Sequence, residues 1–269
     1  MRVGCVQNNP VFGNVQENLD RVEKLLAGHS ADLFVLPELF ATGYQFVDRE
    51  EALSLAEQVP EGDTTRALTA IAKKTNAYII AGLAEIEDER VYNSAVITGP
   101  NGYIGKYRKI HLFDTEKNCF DPGNLPLKVF DIAEAKVGVM ICFDWRFPET
   151  ARTLALMGAD LIAHPSNLVL SHCPQAMITR CLENRVFAIT ADRVGREERI
   201  AGEPLNFIGQ SQVVDPNGNI LVRASRTYEE VHVVRLDLDL ARDKNLTPHN
   251  HLFNDRRQDF YQPLGNKGT

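Results

Sequence analysis

Short runs rich in Val and Ile return along the whole chain, separated by stretches with helical spacing, and this alternation constrains the fold more than any other feature. The strand-like runs span 2–7, 33–36, 78–84, 94–98 and 137–141, then 161–164, 187–190, 212–214 and 231–236. Runs this short and this rich in β-branched residues read as strands. Between them, 15–26, 64–74, 148–157 and 176–184 read as helices. The third opens on Pro148 and Glu149 and stops at Gly158, as helix ends favour. The expected class is α/β.

No linker and no charge block divides the 269 residues, so one domain over 1–269 is expected, with a C-terminal tail from about residue 245. The longest unpatterned pieces, about 37–50, 110–126, 165–174 and 195–209, exceed an ordinary connection, and such loops often carry function. The segments VYNSAVITGPNGYIGKY and FIGQSQVVDPNGNILVR each set Pro-Asn-Gly between β-like runs. They predict two related hairpins and two sheets of similar build.

A formal charge of −7 argues against phosphate backbones and anionic headgroups as partners. No run nears the ~18 apolar residues of a membrane span, and the start lacks a cationic, apolar leader. A small-molecule substrate and a cytoplasmic location are expected, with no nucleic acid and no membrane partner. The five cysteines, Cys5, Cys119, Cys142, Cys173 and Cys181, are odd in number and scattered, which speaks against a disulfide framework. No CxxC pair and no histidine spacing suggests zinc.

Three positions carry chemistry together. Glu38, in ADLFVLPELF, follows a strand-like run, and strand ends are where α/β folds gather sites. Flanked by Pro37, Leu39 and Phe40, its carboxylate is expected to lose water and gain basicity. In YIGKYRKIHLFD, strand alternation puts Tyr107 and Lys109 on one face and Lys106 and Arg108 on the other, so one lysine can point inward toward an anion. Cys142 ends KVGVMIC, just before a DWRF turn and the helix opening at Pro148. Strand, sharp turn and helix is the form of a nucleophile elbow, whose following N–H groups can bind an oxyanion. An ordinary thiol, with pKa about 8.5, needs a base nearby, and Glu38 is the candidate.

Acid, lysine and cysteine in this order bring in a resemblance. The segments VLPELFATGY, YRKIHLFDTEKNCFDPG and GVMICFDWRFPETARTLALMGADLIAHPSN resemble the nitrilase superfamily of carbon-nitrogen hydrolases over nearly the whole chain. The resemblance implies a four-layer αββα sandwich of two mixed sheets with outer helices. It also implies subunits paired into a homodimer or a larger homo-oligomer. Its Glu, Lys and Cys fall on Glu38, Lys109 and Cys142, and its supporting glutamate on Glu116. The implied reaction is thioester hydrolysis of a small amide, with Lys109 and the N–H of Phe143 at the oxyanion and no cofactor or metal.

Within the superfamily, Cys142-Phe143-Asp144 followed by Arg146-Phe147 is similar to the amidase-like branches, so an amidase is expected before a nitrilase. Trp145 stands where the carbamoyl amino-acid branch carries an arginine, which speaks against that branch. Arg146 has two readings: it binds a substrate carboxylate, or it pairs with Asp144, Glu149 or Glu183. Tyr44, Phe113, Phe143, Trp145 and Asn167 are the remaining candidates for the substrate pocket. Two other chemistries have weaker support in the sequence: a Cys/His pair of Cys142 with His111 or His164, and a metal at His172 or at His249-Asn250-His251. A non-catalytic binding protein on the same fold is the alternative of another class.

Overall fold

The computed structural model describes residues 1–261, so 262–269 of the expected tail lie outside the described residues. The first half of the chain gives β1 (Arg2–Gln7), α1 (Val15–Leu26), β2 (Leu33–Val35), α2 (Arg49–Leu55), α3 (Asp63–Thr75), β3 (Tyr78–Glu87), β4 (Arg90–Gly99) and β5 (Gly102–Arg108). A short α4 (Glu116–Cys119) leads to β6 (Val129–Ile132), β7 (Ala135–Val139), a 3-10 turn (Cys142–Arg146), α5 (Pro148–Leu156), β8 (Leu161–Pro165), α6 (Cys173–Asn184) and β9 (Phe187–Ala191). The rest supplies a ribbon of β10 (Arg196–Glu197) and β11 (Leu205–Asn206), then β12 (Gln212–Val214), β13 (Ile220–Arg223), β14 (Glu230–Arg235), α7 (Asp239–Arg242) and a second ribbon, β15 (Asn245–Thr247) and β16 (Asn250–His251).

Two six-stranded sheets form, ordered β14-β1-β2-β3-β4-β5 and β13-β12-β9-β8-β7-β6. Each has a parallel centre, β1-β2-β3 in one and β7-β8-β9 in the other, flanked by antiparallel strands. The Pro-Asn-Gly segments make the edge hairpins β4-β5 and β12-β13, one in each sheet, as the sequence suggested.

Side-chain alternation sorts the first sheet into two faces. Val3, Cys5, Leu33, Val35 and Ile80 pack inward with Val137, Leu161 and Ala163 of the second sheet, while Val6, Phe34, Leu36, Ile79 and Ala81 face outward. Leu19, Val22 and Leu26 of α1 recur every three to four residues and cover that outer face with Leu68, Ile71 and Ala72 of α3. On the other side, Ala151 and Leu154 of α5 and Met177 and Cys181 of α6 cover the second sheet. Each such leucine contributes about 1.5–3 kcal/mol by leaving water. The result is the four-layer αββα sandwich.

The sandwich sets the carboxyl ends of β2, β7, β8 and β9 at one end of the molecule, and the loops that follow meet there. Their meeting is tied by hydrogen bonds: Asn8 Nδ2 donates to Phe40 O at 3.2 Å within the first sheet's loops, and Gln7 Oε1 accepts from Ser211 N at 3.0 Å between the sheets. The elements not read from the sequence are α2, β6, the short α4 and α7, and the ribbon strands β10, β11, β15 and β16. At the far end, Leu252 N donates to Lys244 O, and the ring of Phe253 lies beside Arg152 and Lys244, so the described part of the expected tail packs on α5 and the end of α6.

Candidate active site

Glu38 comes from the turn after β2, and its position is set by how closely two backbones approach. A Cβ on Gly82 of β3 would stand 2.5 Å from Glu38 Cα and 2.7 Å from Leu39 N, so only glycine lets the turn lie on the strand. Leu39 takes a positive φ of 48° to make that turn. The Glu38 side chain is 0% exposed. Its Oε1 accepts from Lys109 Nζ at 2.6 Å and Asn93 Nδ2 at 2.7 Å, while Oε2 has no hydrogen-bond partner. Burial pushes the Glu38 pKa up to about 7, against the pull of the Lys109 charge; nearby Glu116 raises it further. The desolvation expected from Pro37, Leu39 and Phe40 is what the fold imposes.

Lys109 follows β5, and its side chain is buried on the same side as that of Tyr107, the face that strand alternation gave them in common. Its Nζ bridges Glu38 and Glu116, meeting Glu116 Oε1 at 2.7 Å and Oε2 at 2.8 Å. Burial works against this ammonium, but Glu116 and Glu38 outweigh it and hold its pKa above the usual lysine value. Lys106 and Arg108 lie on the other side of the strand, and Arg108 is nonetheless buried, because Glu85 and Glu87 pair with it. Glu116, at the start of α4, also accepts from Tyr44 Oη at 2.5 Å and from Phe113 N at 3.2 Å. It is therefore a buried member of the cluster and not a solvated neighbour of Lys117.

Cys142 follows β7 with φ of 38°, in the left-handed region that a side chain with Cβ rarely adopts, so the turn holds the thiol in a strained position. Asp144 fixes this turn. It accepts from Ile141 N at 2.8 Å, Tyr107 Oη at 2.7 Å and His111 N at 3.2 Å, and sits 2.8 Å from His111 Nδ1. The thiol reaches the carbonyl oxygen of Asn167 at 3.8 Å, and Asn167 Nδ2 donates to Glu38 O at 2.8 Å, linking the thiol turn to the glutamate turn. Burial and the Glu38 charge push the Cys142 pKa well above its ordinary value, so the resting group is a thiol.

A narrow apolar pocket of about 40 Å³ opens over the sulfur, walled by Phe113, Phe143, Trp145, Asn167, Leu168 and the 169–170 segment. The cluster, built from residues 71 positions apart at its widest ion pair, thus combines a buried carboxylate with a vacant oxygen, a fixed ammonium, a protonated thiol and an apolar cleft.

The other expected residues divide. Phe113, Phe143, Trp145 and Asn167 wall the pocket. Tyr44 does not: its ring meets Phe207 edge-on and its hydroxyl serves Glu116. Arg146 is exposed at the outer mouth near Leu170 and His172, its guanidinium 5.5 Å from the Trp145 ring centre. The scaffold pairings suggested for it are not made: Asp144 is engaged by Tyr107, Ile141 and His111, and Glu183 by Arg180.

Neither histidine pairs with the thiol. His164 Nε2 lies 2.9 Å from the carbonyl oxygen of Cys142, and burial pushes its pKa down to about 4, while His111 is held by Asp144 and stacks on Phe147 at 3.6 Å. Asn93, Asp144 as a hub and Asp192, whose Oδ1 accepts from Leu168 N at 2.8 Å, were not singled out from the sequence for these tasks. Their signals are a polar residue inside an apolar strand run or at its end, which a search for hydrophobic periodicity passes over.

With this geometry in view, comparison with known proteins is specific. The family model described as "Carbon-nitrogen hydrolase" matches residues 2–245. A protein of Pyrococcus abyssi named "Nitrilase" is 52% identical over 264 residues, covering 97% of this chain and 99% of its own length. An "(R)-stereoselective amidase" of a Pseudomonas species is 34% identical over 89% of this chain and 86% of its own. Among solved structures, a carbon-nitrogen hydrolase from Helicobacter pylori G27 matches with a TM-score of 0.88 at 26% identity, over 100% of this chain and 99% of that one. The chain belongs to the nitrilase superfamily of carbon-nitrogen hydrolases.

Proposed function

We propose that the chain hydrolyses the carbon-nitrogen bond of a small amide with an apolar acyl part, through a thioester on Cys142. The observation that carries this is the free Oε2 of Glu38 in a buried cluster beside a thiol that burial keeps protonated. Glu38 Oε2 takes the thiol proton as Sγ attacks the carbonyl carbon. The oxyanion forms toward Lys109 Nζ and the N–H of Phe143, which stands at the start of the 3-10 turn where N–H groups lack a partner within the turn. One such donor is worth about 3 kcal/mol in the transition state. As the tetrahedral intermediate collapses, Glu38 returns its proton to the departing nitrogen and ammonia or an amine leaves. Glu38 then draws a proton from the water that attacks the thioester, releasing the acid and restoring the thiol. Glu116 and Tyr44 hold Lys109 in place. The apolar walls of the pocket suit an acyl group without charge close to the carbonyl.

A second reading has one observation in its favour, the name "Nitrilase" of the Pyrococcus abyssi relative. Attack of the same thiol on a nitrile would give a thioimidate and use the same residues. Ammonia release from matched short amides and nitriles decides between them, with Cys142→Ala as the blank. Preference for amides supports the first reading, preference for nitriles replaces it with the second, and no release from either overturns both.

We further propose that α5 and α6 meet a second copy of the chain. Leu156, Met157 and Leu182 leave 42%, 47% and 54% of their surface exposed on this side, large apolar side chains with no cover in the single chain. Five unpaired cysteines suit a reducing compartment and a cytoplasmic location.

A further inference from the structure

We infer that Asn167 Oδ1 accepts a hydrogen bond from the leaving nitrogen of the substrate, and so selects amides against esters and nitriles of the same acyl group; this rests on the amide reading above. Asn167 stands at the carboxyl end of β8, in the wall of the pocket and in contact with the nucleophile through its own carbonyl oxygen. Its amide can be oriented without ambiguity. Nδ2 faces Glu38 O at 2.8 Å, and turning the group over would set two oxygens against each other. Oδ1 is therefore the other atom on the amide carbon, in a residue whose Nδ2 meets the Glu38 backbone and whose main-chain oxygen meets Cys142. It is buried and has no donor among the described residues.

A buried acceptor without a donor is unfavourable, and in an active site it marks what a ligand must bring. Two other buried acceptors in the cluster are vacant: Glu38 Oε2, which the proposed reaction uses to take the thiol proton, and Asn93 Oδ1, whose residue is not among those walling the pocket. The Cys142 side of the pocket is otherwise lined by Phe113, Phe143 and Leu168, which can offer the substrate no acceptor from their side chains. A primary amide carries two N–H bonds on its leaving atom. Holding one of them on Oδ1 turns the nitrogen lone pair, once the carbon is tetrahedral, toward the proton on Glu38. An ester oxygen has no hydrogen to give, and a nitrile nitrogen has none when Sγ attacks.

The test compares kcat/KM for a primary amide and the methyl ester of the same acid, in the native enzyme and in Asn167→Ala. Both substrates give the same thioester, so the ratio reports acylation alone. Loss of the Nδ2 tie to Glu38 also touches the acid that protonates the leaving group, so Gly82→Ala, which moves the Glu38 turn and leaves Asn167 in place, is the control, and the fall in ratio in Asn167→Ala must exceed the fall in that variant. The expected result is a fall of about tenfold or more in the amide-to-ester ratio, as for a site that has lost its match to a substrate N–H. Asn167→Leu, close in shape, gives the same reading if the alanine variant is unstable. An amide-to-ester ratio within twofold of native in the folded variant overturns the inference and leaves the hydrolase reading standing. A native enzyme that turns over neither substrate refutes the hydrolase reading, and this inference with it.

Discussion

Replacing Glu116 by glutamine should move the acid limb of the pH–rate profile downward, which is the opposite of what loss of a catalytic carboxylate would do. Glu38 must be ionised to take the thiol proton, so activity in the native protein should fall as pH drops through about 7, the value to which burial, against Lys109 and with Glu116, raises its pKa. Glu116 and Glu38 are held by one nitrogen at 2.7 and 2.6 Å, so the bonded oxygens are at most about 5 Å apart. At an effective dielectric of about 20, two charges at that distance repel by about 3 kcal/mol, equivalent to about two pKa units. Glutamine keeps a carbonyl oxygen for Lys109 and part of the local dipole, so a shift of about one to two units is expected. The same change leaves Lys109 to Glu38 alone and makes Glu38 a weaker base, so the plateau should drop about tenfold or more. The assay is kcat/KM for a small amide from pH 4 to 9, with folding checked by circular dichroism at each end. An acid limb that stays in place or moves upward would refute the charge coupling on which the reasoning depends.

Three further outcomes are expected. Gly82→Ala should leave the fold intact but push the Glu38 turn away from β3, lowering kcat about 100-fold, the usual consequence of a misplacement near 1 Å; a native rate would show that the turn is not held by that contact. Asp192 is buried with one oxygen unpartnered, and burial raises its pKa well above the carboxylate range. A raised carboxylate pKa means the folded state binds the proton more tightly than the unfolded one, so stability is full at low pH and is lost as pH rises toward the folded value. The Tm advantage of Asp192→Asn over the native protein should therefore widen between pH 5 and 8, and a gap independent of pH would show that Asp192 does not titrate in this way. Leu182→Glu should shift the protein toward monomer in sedimentation, and an unchanged mass would remove the α5–α6 face as the contact between copies.

The sequence was most legible where one physical rule governed a segment. Val15–Leu26 was read to its ends because its apolar stripe faces only one way, and strand alternation put Lys109 and Lys106 on opposite faces so that one of them could turn inward. Strand β6 escaped because it is only four residues long, one of them an aspartate. Helix α2 escaped for a different reason: it buries only Ala52, so it carries no stripe to detect. In the candidate site, Glu38, Lys109 and Cys142 could be singled out because each ends or follows a strand. Tyr44 was assigned to the pocket and instead braces Glu116, since a loop residue's direction depends on contacts with distant segments: its backbone N–H bonds Glu197, 153 positions away. Arg146 was offered a carboxylate partner on proximity in sequence, but Asp144 was already saturated by three groups from β5, the turn itself and the segment after β5.

The raised pKa of the thiol looks at first like a poor property for a nucleophile, yet it follows from the same burial that makes the proposed reaction favourable. Forming a free thiolate here would place a second anion beside Glu38 in a buried site, which is strongly opposed. Passing the proton to Glu38 as the Sγ–C bond forms creates no new charge. The negative charge leaves Glu38 as it appears on the substrate oxygen, and Lys109, already 2.6 Å from the glutamate, needs only to exchange one anion for another. Glu116 keeps that ammonium in position throughout, because its two bonds to Nζ, at 2.7 and 2.8 Å, are untouched by the transfer. The electrostatic field is thus in place before the substrate arrives and needs little reorganisation during attack, the condition under which buried charges contribute most to rate. On this view the fixed lysine, more than any prior activation of the sulfur, is what lets a protonated thiol act at neutral pH.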